Sequence, residues 1–114
     1  MIDVVTDRLE ADEPAHVPLI WWFEIRHAAL MGLRRHRVTA EHVLDFLATV
    51  NSVNIIVAPL PVASVVFALA QRHRLSFYEA AYLELAQREN IALATLDQAL
   101  ARAAVAEDVP LIGA

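Results

Sequence analysis

Three carboxylates stand out because their surroundings are apolar or lie at the end of a predicted strand: Glu24, Glu79 and Asp97. Glu24 lies within the apolar run LIWWFEIRHAAL, where an ionised side chain is costly unless something pairs with it. Asp97 directly follows the strand-like segment IALAT, at the carboxyl end where open α/β sheets collect their ligands. These acids are the first candidates for chemistry.

Each acid also has a purely structural interpretation. Glu24 can pair with Arg26 or His27, or can extend to the edge of its helix. Asp97 can cap the helix that begins after it. Ser76 and Glu79, three residues apart, have the spacing of a capping box, in which each side chain binds the other residue's backbone amide. These alternatives remain open at the level of sequence.

Convergence of the three acids would define the chemistry. Each carboxylate pair about 4 Å apart repels by roughly 4 kcal/mol at an effective dielectric of 20, so such a cluster takes up protons or binds a cation. The chain has no cysteine, and oxygen ligands favour Mg²⁺ or Mn²⁺. A divalent ion held by carboxylates activates water and offsets charge on a phosphodiester, which is nuclease chemistry.

Hydrophobic periodicity predicts helices that alternate with short apolar strands. The predicted helices cover 2–10, about 19–35, a segment capped by Thr39, 61–73, 76–90 and about 97–106, and the predicted strands cover 53–57, 91–95 and 109–112. A brief extended segment lies between Pro14 and Pro18. Strands that are apolar on both faces indicate an α/β fold with a parallel sheet between helices. The start of the 19–35 helix and the stretch 46–71 are expected to be buried.

Composition limits the possible classes of protein. With 114 residues, 58% hydrophobic and 20% charged, the chain is expected to fold as one domain. The uncharged stretch 46–71 is long enough for a membrane span, but its two Asn and two Pro residues argue against one. No targeting segment is visible, and the absence of cysteine favours the cytoplasm.

Basic residues cluster in two short runs, RRHR and RHR, and four of their arginines are singled out: Arg34, Arg35, Arg37 and Arg74. Guanidinium groups suit phosphate, so these four are possible RNA contacts. Solvated helix ends are the commoner meaning of such runs and are the favoured interpretation.

Several of these segments together resemble a PIN domain, and most closely the VapC-type toxin ribonucleases of toxin-antitoxin pairs. The similarity lies in the blocks HVPLIWWFEIRHAAL, RHRLSFYEAAYLELAQREN, IALATLD and VPLIG. It covers residues 15–114 of a single domain over 1–114. The resemblance implies a three-layer sandwich with a short parallel sheet between helices.

The resemblance also implies roles for individual residues. Glu24, Glu79 and Asp97 correspond to catalytic acids that bind Mg²⁺ or Mn²⁺, and Thr95 corresponds to a small polar residue beside the metal. Ser76 supports the site at the start of its helix. The implied partners are an RNA substrate and an antitoxin protein.

Two departures from the family pattern affect the expected activity. The family opens with a strand that carries the first metal-binding Asp, and no such block is present, so residues 1–14 are interpreted as the remnant of an N-terminal helix. The spacing before Glu24 is too short for Asp3 or Asp7 to replace that Asp. In addition, Glu79 stands where the family usually has Asp, which displaces the carboxylate by about a bond length, beyond the roughly 0.5 Å tolerance of a preorganised site.

The expectation is therefore a metal-dependent endoribonuclease, weakened by N-terminal truncation. A missing first strand would expose sheet edges and apolar side chains, which favours a homodimer or higher oligomer. The alternative function is a catalytically inactive PIN-like module that binds a partner protein such as an antitoxin. A third possibility is a small α/β domain whose three acids are unrelated caps or paired groups.

Overall fold

The computed structural model describes residues 4–6 and 14–112, which form five helices and four short strands. The strands are β1 (Val4–Thr6), β2 (Ala15–Val17), β3 (Ile55–Val57) and β4 (Ala92–Ala94). The helices are α1 (Leu19–Arg34), α2 (Ala40–Ser52), α3 (Ala63–His73), α4 (Phe77–Glu89) and α5 (Gln98–Ala106). The predicted helices after residue 14 are thus confirmed to within a few residues at each end.

The strands form one sheet in the order β3-β2-β1-β4. β2 and β3 are parallel, with Ala15 opposite Ile55, whereas β1 is antiparallel to both β2 and β4. β2, β3 and β4 therefore run in one direction, and their carboxyl ends lie at the same edge. The predicted last strand is reduced to a parallel bridge between Leu93 and Leu111.

The amino-terminal part of the chain corrects two predictions. Val4–Thr6 form a strand, so the predicted helix over 2–10 and the helical remnant over 1–14 are wrong at these residues. The interior of the sheet is also not missing a strand, because β1 lies between β2 and β4, although it runs against its neighbours. Asp3 and Asp7 lie outside the described residues.

The core is centred on α4. Ala80 and every residue from Tyr82 to Ala86 are buried, and α4 packs against α3, α5 and the sheet. α3 contributes Val66 and Leu69, β4 contributes Leu93, and α5 contributes Leu100. This arrangement confirms an α/β fold with helices flanking a short sheet, and it confirms the predicted burial of β4.

Burial is much lower in the first half of the chain than predicted. Trp21 is the one buried residue of α1, and α2 has none. β3 is an edge strand whose Ile56 and Val57 are exposed, and much of α3 is exposed as well. The predictions of a buried α1 and a buried 46–71 stretch are therefore wrong. Within the part of the chain that the structure describes, none of the helices is long and apolar enough to cross a membrane.

Candidate functional site

Glu24 lies about 7.5 Å along α1 from the start of that helix, which begins at the carboxyl end of β2. Its side chain is half-buried, and its Oε1 atom accepts a hydrogen bond of 3.0 Å from the hydroxyl of Tyr82, a buried residue of α4. This bond joins α1 to α4 one turn beyond Glu79. The bond also gives a hydrogen-bond partner to a carboxylate oxygen that is partly removed from water.

Arg26 does not serve as the partner of Glu24, although the sequence left that possibility open. Its guanidinium lies 3.9 Å from the centre of the Trp22 ring and donates a 3.0 Å hydrogen bond to the Trp22 carbonyl. Glu24, Arg26 and the exposed His27 all line a groove of about 460 Å³, whose remaining walls are apolar. The groove therefore presents an acid and two nitrogen-bearing side chains beside apolar surface.

Glu79 is part of a capping box, as its spacing from Ser76 indicated. The Glu79 amide donates to the Ser76 hydroxyl oxygen at 3.0 Å, and the Ser76 amide donates to Glu79 Oε1 at 2.8 Å. These two bonds satisfy amides that have no partner inside α4. Ser76 therefore supports the start of α4, because its amide holds the Glu79 carboxylate close to the backbone of the first turn.

Asp97 caps α5 and lies just beyond the carboxyl end of β4. Its Oδ1 atom accepts a 2.8 Å hydrogen bond from the Leu100 amide, and its own amide donates to the Thr95 hydroxyl oxygen at 3.0 Å. The structural interpretation of Asp97 as a cap is thus confirmed. Thr95 shapes the turn that presents Asp97.

The three acids are not assembled into a metal site in the structure. Among residues 4–6 and 14–112, no group of three His, Cys, Asp or Glu side chains is arranged to hold a metal ion. One oxygen of each carboxylate is engaged, by Tyr82, Ser76 and Leu100 respectively. Within those same ranges, the second oxygen of each carboxylate accepts no hydrogen bond. The oxygen donors suit Mg²⁺ or Mn²⁺, and convergence of the three acids remains a prediction.

The four arginines proposed as RNA contacts lie at or next to helix ends, as the favoured interpretation predicted. Arg34 ends α1, Arg35 follows it as the C-cap, Arg37 lies in the next loop and Arg74 is the C-cap of α3. All four are exposed. Cations at helix C-termini interact favourably with the helix dipole, and contact with RNA remains a prediction.

Sequence reasoning missed a buried acid, Glu84, which is paired in the core. Arg88 Nε lies 2.8 Å from Glu84 Oε1, and Arg88 also donates a 3.0 Å hydrogen bond to the Pro59 carbonyl. The i,i+4 spacing of Glu84 and Arg88 is a signal that could have identified this pair. The role of the Glu84–Arg88 pair is structural, because Arg88 links the loop after β3 to α4.

A second missed cluster surrounds Glu107 at the end of α5. Glu107 Oε2 lies 2.6 Å from His73 Nε2 and 2.7 Å from Arg72 Nη1, and Glu107 Oε1 accepts from Gln87 at 3.1 Å. The hydrogen bond from His73, followed by that from Arg72, lowers the pKa of Glu107 from 4.5 to about 2. The cluster ties the ends of α3, α4 and α5 together. No local sequence pattern connects residues 34 positions apart.

Comparison with known proteins identifies the family. The family model for the PIN domain matches residues 2–106. The fold is similar to the crystal structure of PAE2754 from Pyrobaculum aerophilum, with a TM-score of 0.67 and 25% identity over 77% of this chain. The match covers 60% of the PAE2754 chain. A comparison with curated proteins gave no match. The chain belongs to the PIN domain family.

Proposed function

We propose that this protein is a metal-dependent endoribonuclease that resembles the VapC-type toxins and hydrolyses RNA phosphodiesters. Membership of the PIN family supports a nuclease function. The observation that carries the finer proposal is the position of Glu24, which lines an open groove and is held by Tyr82, a residue of α4 one turn beyond Glu79. Asp97 emerges from the sheet edge at which α1 also begins, because β2 and β4 run in the same direction.

The proposed metal ligands are Glu24, Glu79 and Asp97, with Mg²⁺ or Mn²⁺ as the ion. When bound, the ion supplies a water of lowered pKa and compensates charge that develops on the phosphodiester. Each acid has one oxygen that the described residues leave available for a hard cation. Glu79 is the least prepared of the three, because its other oxygen also serves its own helix cap.

The remaining residues act by positioning these acids. Tyr82 fixes the rotamer of Glu24, and the hydrogen bond from the Asp97 amide to Thr95 orients the turn that carries Asp97. Positioning matters in this reaction because phosphoryl transfer depends mainly on orientation and electrostatic stabilisation. Three carboxylates repel an RNA phosphate unless a cation lies between them, so substrate binding is expected to require the metal.

The exposed arginines are proposed to bind the substrate backbone. Arg34, Arg35 and Arg37 follow α1 in one short segment, whereas Arg74 ends α3. Each arginine that contacts a phosphate releases counterions, which makes affinity dependent on salt. The proposed protein partner is an antitoxin, and the proposed site of action is the cytoplasm.

The experiment that tests this function uses three amide substitutions: Glu24→Gln, Glu79→Gln and Asp97→Asn. Each removes the negative charge but retains the oxygen that accepts the hydrogen bond from Tyr82, Ser76 or Leu100. Asn caps helices about as well as Asp, and Gln replaces Glu in a capping box. The expected result is a loss of about 100-fold in Mg²⁺-dependent cleavage of a single-stranded RNA for each variant, with unchanged melting temperatures.

The matched control is Glu41→Gln, which removes an exposed acid from the first turn of α2. Its cleavage rate is expected to equal that of the wild type. Full activity of all three amide variants would contradict the proposed ligand set. Equal losses in the control and the three variants would show a general effect of charge rather than a site.

The alternative function is a catalytically inactive PIN module that binds a partner protein. It is favoured by the absence of a three-ligand cluster among the described residues and by the many exposed apolar side chains. Wild-type protein that cleaves no RNA in Mg²⁺ or Mn²⁺, but binds an antitoxin, would support this function over the ribonuclease.

A further inference from the structure

A small, partly polar pocket lies between α1, the end of α2 and the edge strand β3. We call it the indole pocket and define it by Trp21, Trp22 and Arg26 of α1 and Asn51 of α2. Apolar side chains from the end of α2 and from β3 also line it. Its volume of about 230 Å³ is below the roughly 300–1,000 Å³ of sites for drug-sized ligands, so it suits a small chemical group.

Arg26 brings to this pocket a half-buried cation without an acidic partner. Among residues 4–6 and 14–112, no carboxylate forms an ion pair with its guanidinium, and none of the described residues that line the pocket is acidic. The guanidinium is held in place, because it lies 3.9 Å from the centre of the Trp22 ring and donates a hydrogen bond to the Trp22 carbonyl. Its remaining N–H groups can donate to a ligand.

Trp21 provides a second donor without an acceptor. The residue is 7% exposed, and its indole Nε1 atom is buried without a hydrogen-bond partner in the part of the chain that the structure describes. Unpartnered buried donors are rare and costly, because such an atom has lost its hydrogen bond to water and gained none in return. A ligand carbonyl that enters the indole pocket and displaces the side chains over Nε1 would supply the acceptor.

These groups together fit a nucleobase. Arg26 and the Trp21 indole only donate hydrogen bonds, so they select a ligand edge that carries acceptors. The Trp22 ring and the apolar side chains favour a ligand with apolar faces, which an inorganic phosphate ion lacks. Bases of single-stranded RNA stack on aromatic rings and guanidinium planes and are recognised along their edges. Guanine and uracil present a carbonyl acceptor where adenine and cytosine present an amino donor.

The indole pocket is connected to the candidate active site through Arg26, which also lines the groove that contains Glu24. We infer that the indole pocket binds one guanine or uracil base of an RNA strand that passes Glu24. This inference rests on the ribonuclease function proposed above and gives that function a preference for bases that carry a carbonyl at this edge.

Tryptophan fluorescence provides a direct measurement, because the chain has two tryptophans and both line the indole pocket. The full chain is titrated in EDTA with GMP, UMP, AMP, CMP and inorganic phosphate, and free N-acetyltryptophanamide corrects for absorption by the nucleotides. GMP and UMP are expected to change the fluorescence in a saturable way, with a Kd about tenfold below that of AMP and CMP. Phosphate alone is expected to cause no change.

A second titration distinguishes a base within RNA from a free nucleotide. It compares oligouridine with oligocytidine in Mg²⁺, on the Asp97→Asn variant, which is expected to cleave slowly. The two oligomers differ at one edge of the base, where uracil has a carbonyl and cytosine an amino group. Oligouridine is expected to bind about tenfold more tightly.

Two substitutions test the assigned groups. Arg26→Lys keeps the charge but removes the planar guanidinium, and Trp21→Phe removes the buried donor but keeps an aromatic ring. Each is expected to weaken UMP binding about tenfold and to reduce the preference for oligouridine. The matched control is Arg102→Lys, which changes an exposed arginine of α5 away from the pocket and is expected to leave both measurements unchanged. Circular dichroism melting identifies a variant that unfolds; Asn51→Ala, at an exposed position, then replaces Trp21→Phe.

Three results would overturn the inference: no saturable change with any nucleotide or RNA, equal affinity for the two oligomers, or binding that neither Arg26→Lys nor Trp21→Phe weakens. Binding of free GMP and UMP without a preference between the oligomers is one of these results, because the pocket would then serve a free nucleotide. None of these measurements requires cleavage. A protein that binds oligouridine through Arg26 and Trp21 but cleaves no RNA would support the indole pocket and contradict the ribonuclease, whereas a ribonuclease without any preference between the oligomers would do the reverse.

Discussion

Helices α1 and α4 are both rich in apolar residues, yet α4 is largely buried and α1 is largely exposed. α4 is surrounded by α3, α5 and the sheet, so it buries five consecutive residues from Tyr82 to Ala86. α1 carries the more apolar sequence, but it buries only Trp21 and is covered mainly by β2 and α2. The comparison shows that the apolar content of a helix does not determine its burial. Burial depends on how many other helices and strands pack against the helix.

The largest effect that tests whether surrounding elements decide burial is expected from two Leu→Ala substitutions, one in α4 and one in α2, which like α1 packs against few elements. Leu83 in α4 is fully buried, and Leu83→Ala leaves a cavity that is expected to cost about 3 kcal/mol of the free energy of unfolding. Leu44 in α2 is 69% exposed, and Leu44→Ala is expected to cost no more than about 0.5 kcal/mol. Urea denaturation followed by circular dichroism measures both. Equal costs would show that α2 packs as tightly as α4.

An intermediate effect is expected from Glu107→Gln, which weakens the cluster that ties α3, α4 and α5 together. Hydrogen bonds to a charged group contribute about 1.5–3 kcal/mol each, but Arg72 is 59% exposed, so a net loss of about 1 kcal/mol at pH 7 is expected. Equilibrium unfolding of both proteins measures this loss.

The pH dependence of that loss has a definite sign. The pKa of Glu107 falls from 4.5 to about 2 on folding, mainly because His73 and then Arg72 bind its carboxylate. Its stabilisation is therefore complete above about pH 4.5 and is lost as the pH falls towards 2. The difference in stability between wild type and Glu107→Gln should shrink over this window. A difference that is unchanged between pH 6 and pH 3 would contradict a lowered pKa.

The difference between α1 and α4 also explains which structural features could be predicted from the sequence. Local signals were reliable: Thr39, Ser76 and Asp97 each cap the helix for which they were proposed. The alternating pattern correctly indicated an α/β fold. Burial was predicted wrongly for α1 and β3, because an apolar run does not reveal how many neighbours will cover it.

The candidate site was predictable only in part for a similar reason. Sequence identified Glu24 as an unusual acid, but its partner Tyr82 lies 58 residues away and no local pattern connects them. The strand β1 was also missed, because three residues are too few to show the alternation that defines a strand. Interactions within one turn can be predicted from sequence, whereas those between elements depend on packing.

The smallest effect on global stability is expected from Thr39→Ala, which removes the cap of α2. The Thr39 side chain accepts a 3.1 Å hydrogen bond from the His42 amide, and loss of such a cap costs about 1 kcal/mol. Because α2 packs mainly against α1 and buries no residue, this cost should appear as local opening rather than global unfolding. Amide exchange in α2 is therefore expected to accelerate about fivefold, since 1 kcal/mol changes an equilibrium by about that factor. Exchange in α4 and the melting temperature should stay as in the wild type.

Ser76→Ala is the matched change on the buried helix. Because α4 opens only together with the core, the cost of losing this cap should lower the melting temperature instead. If Thr39→Ala accelerated no amide in α2 but lowered the melting temperature as much as Ser76→Ala, α2 would unfold together with the core and the two regions would form one cooperative unit.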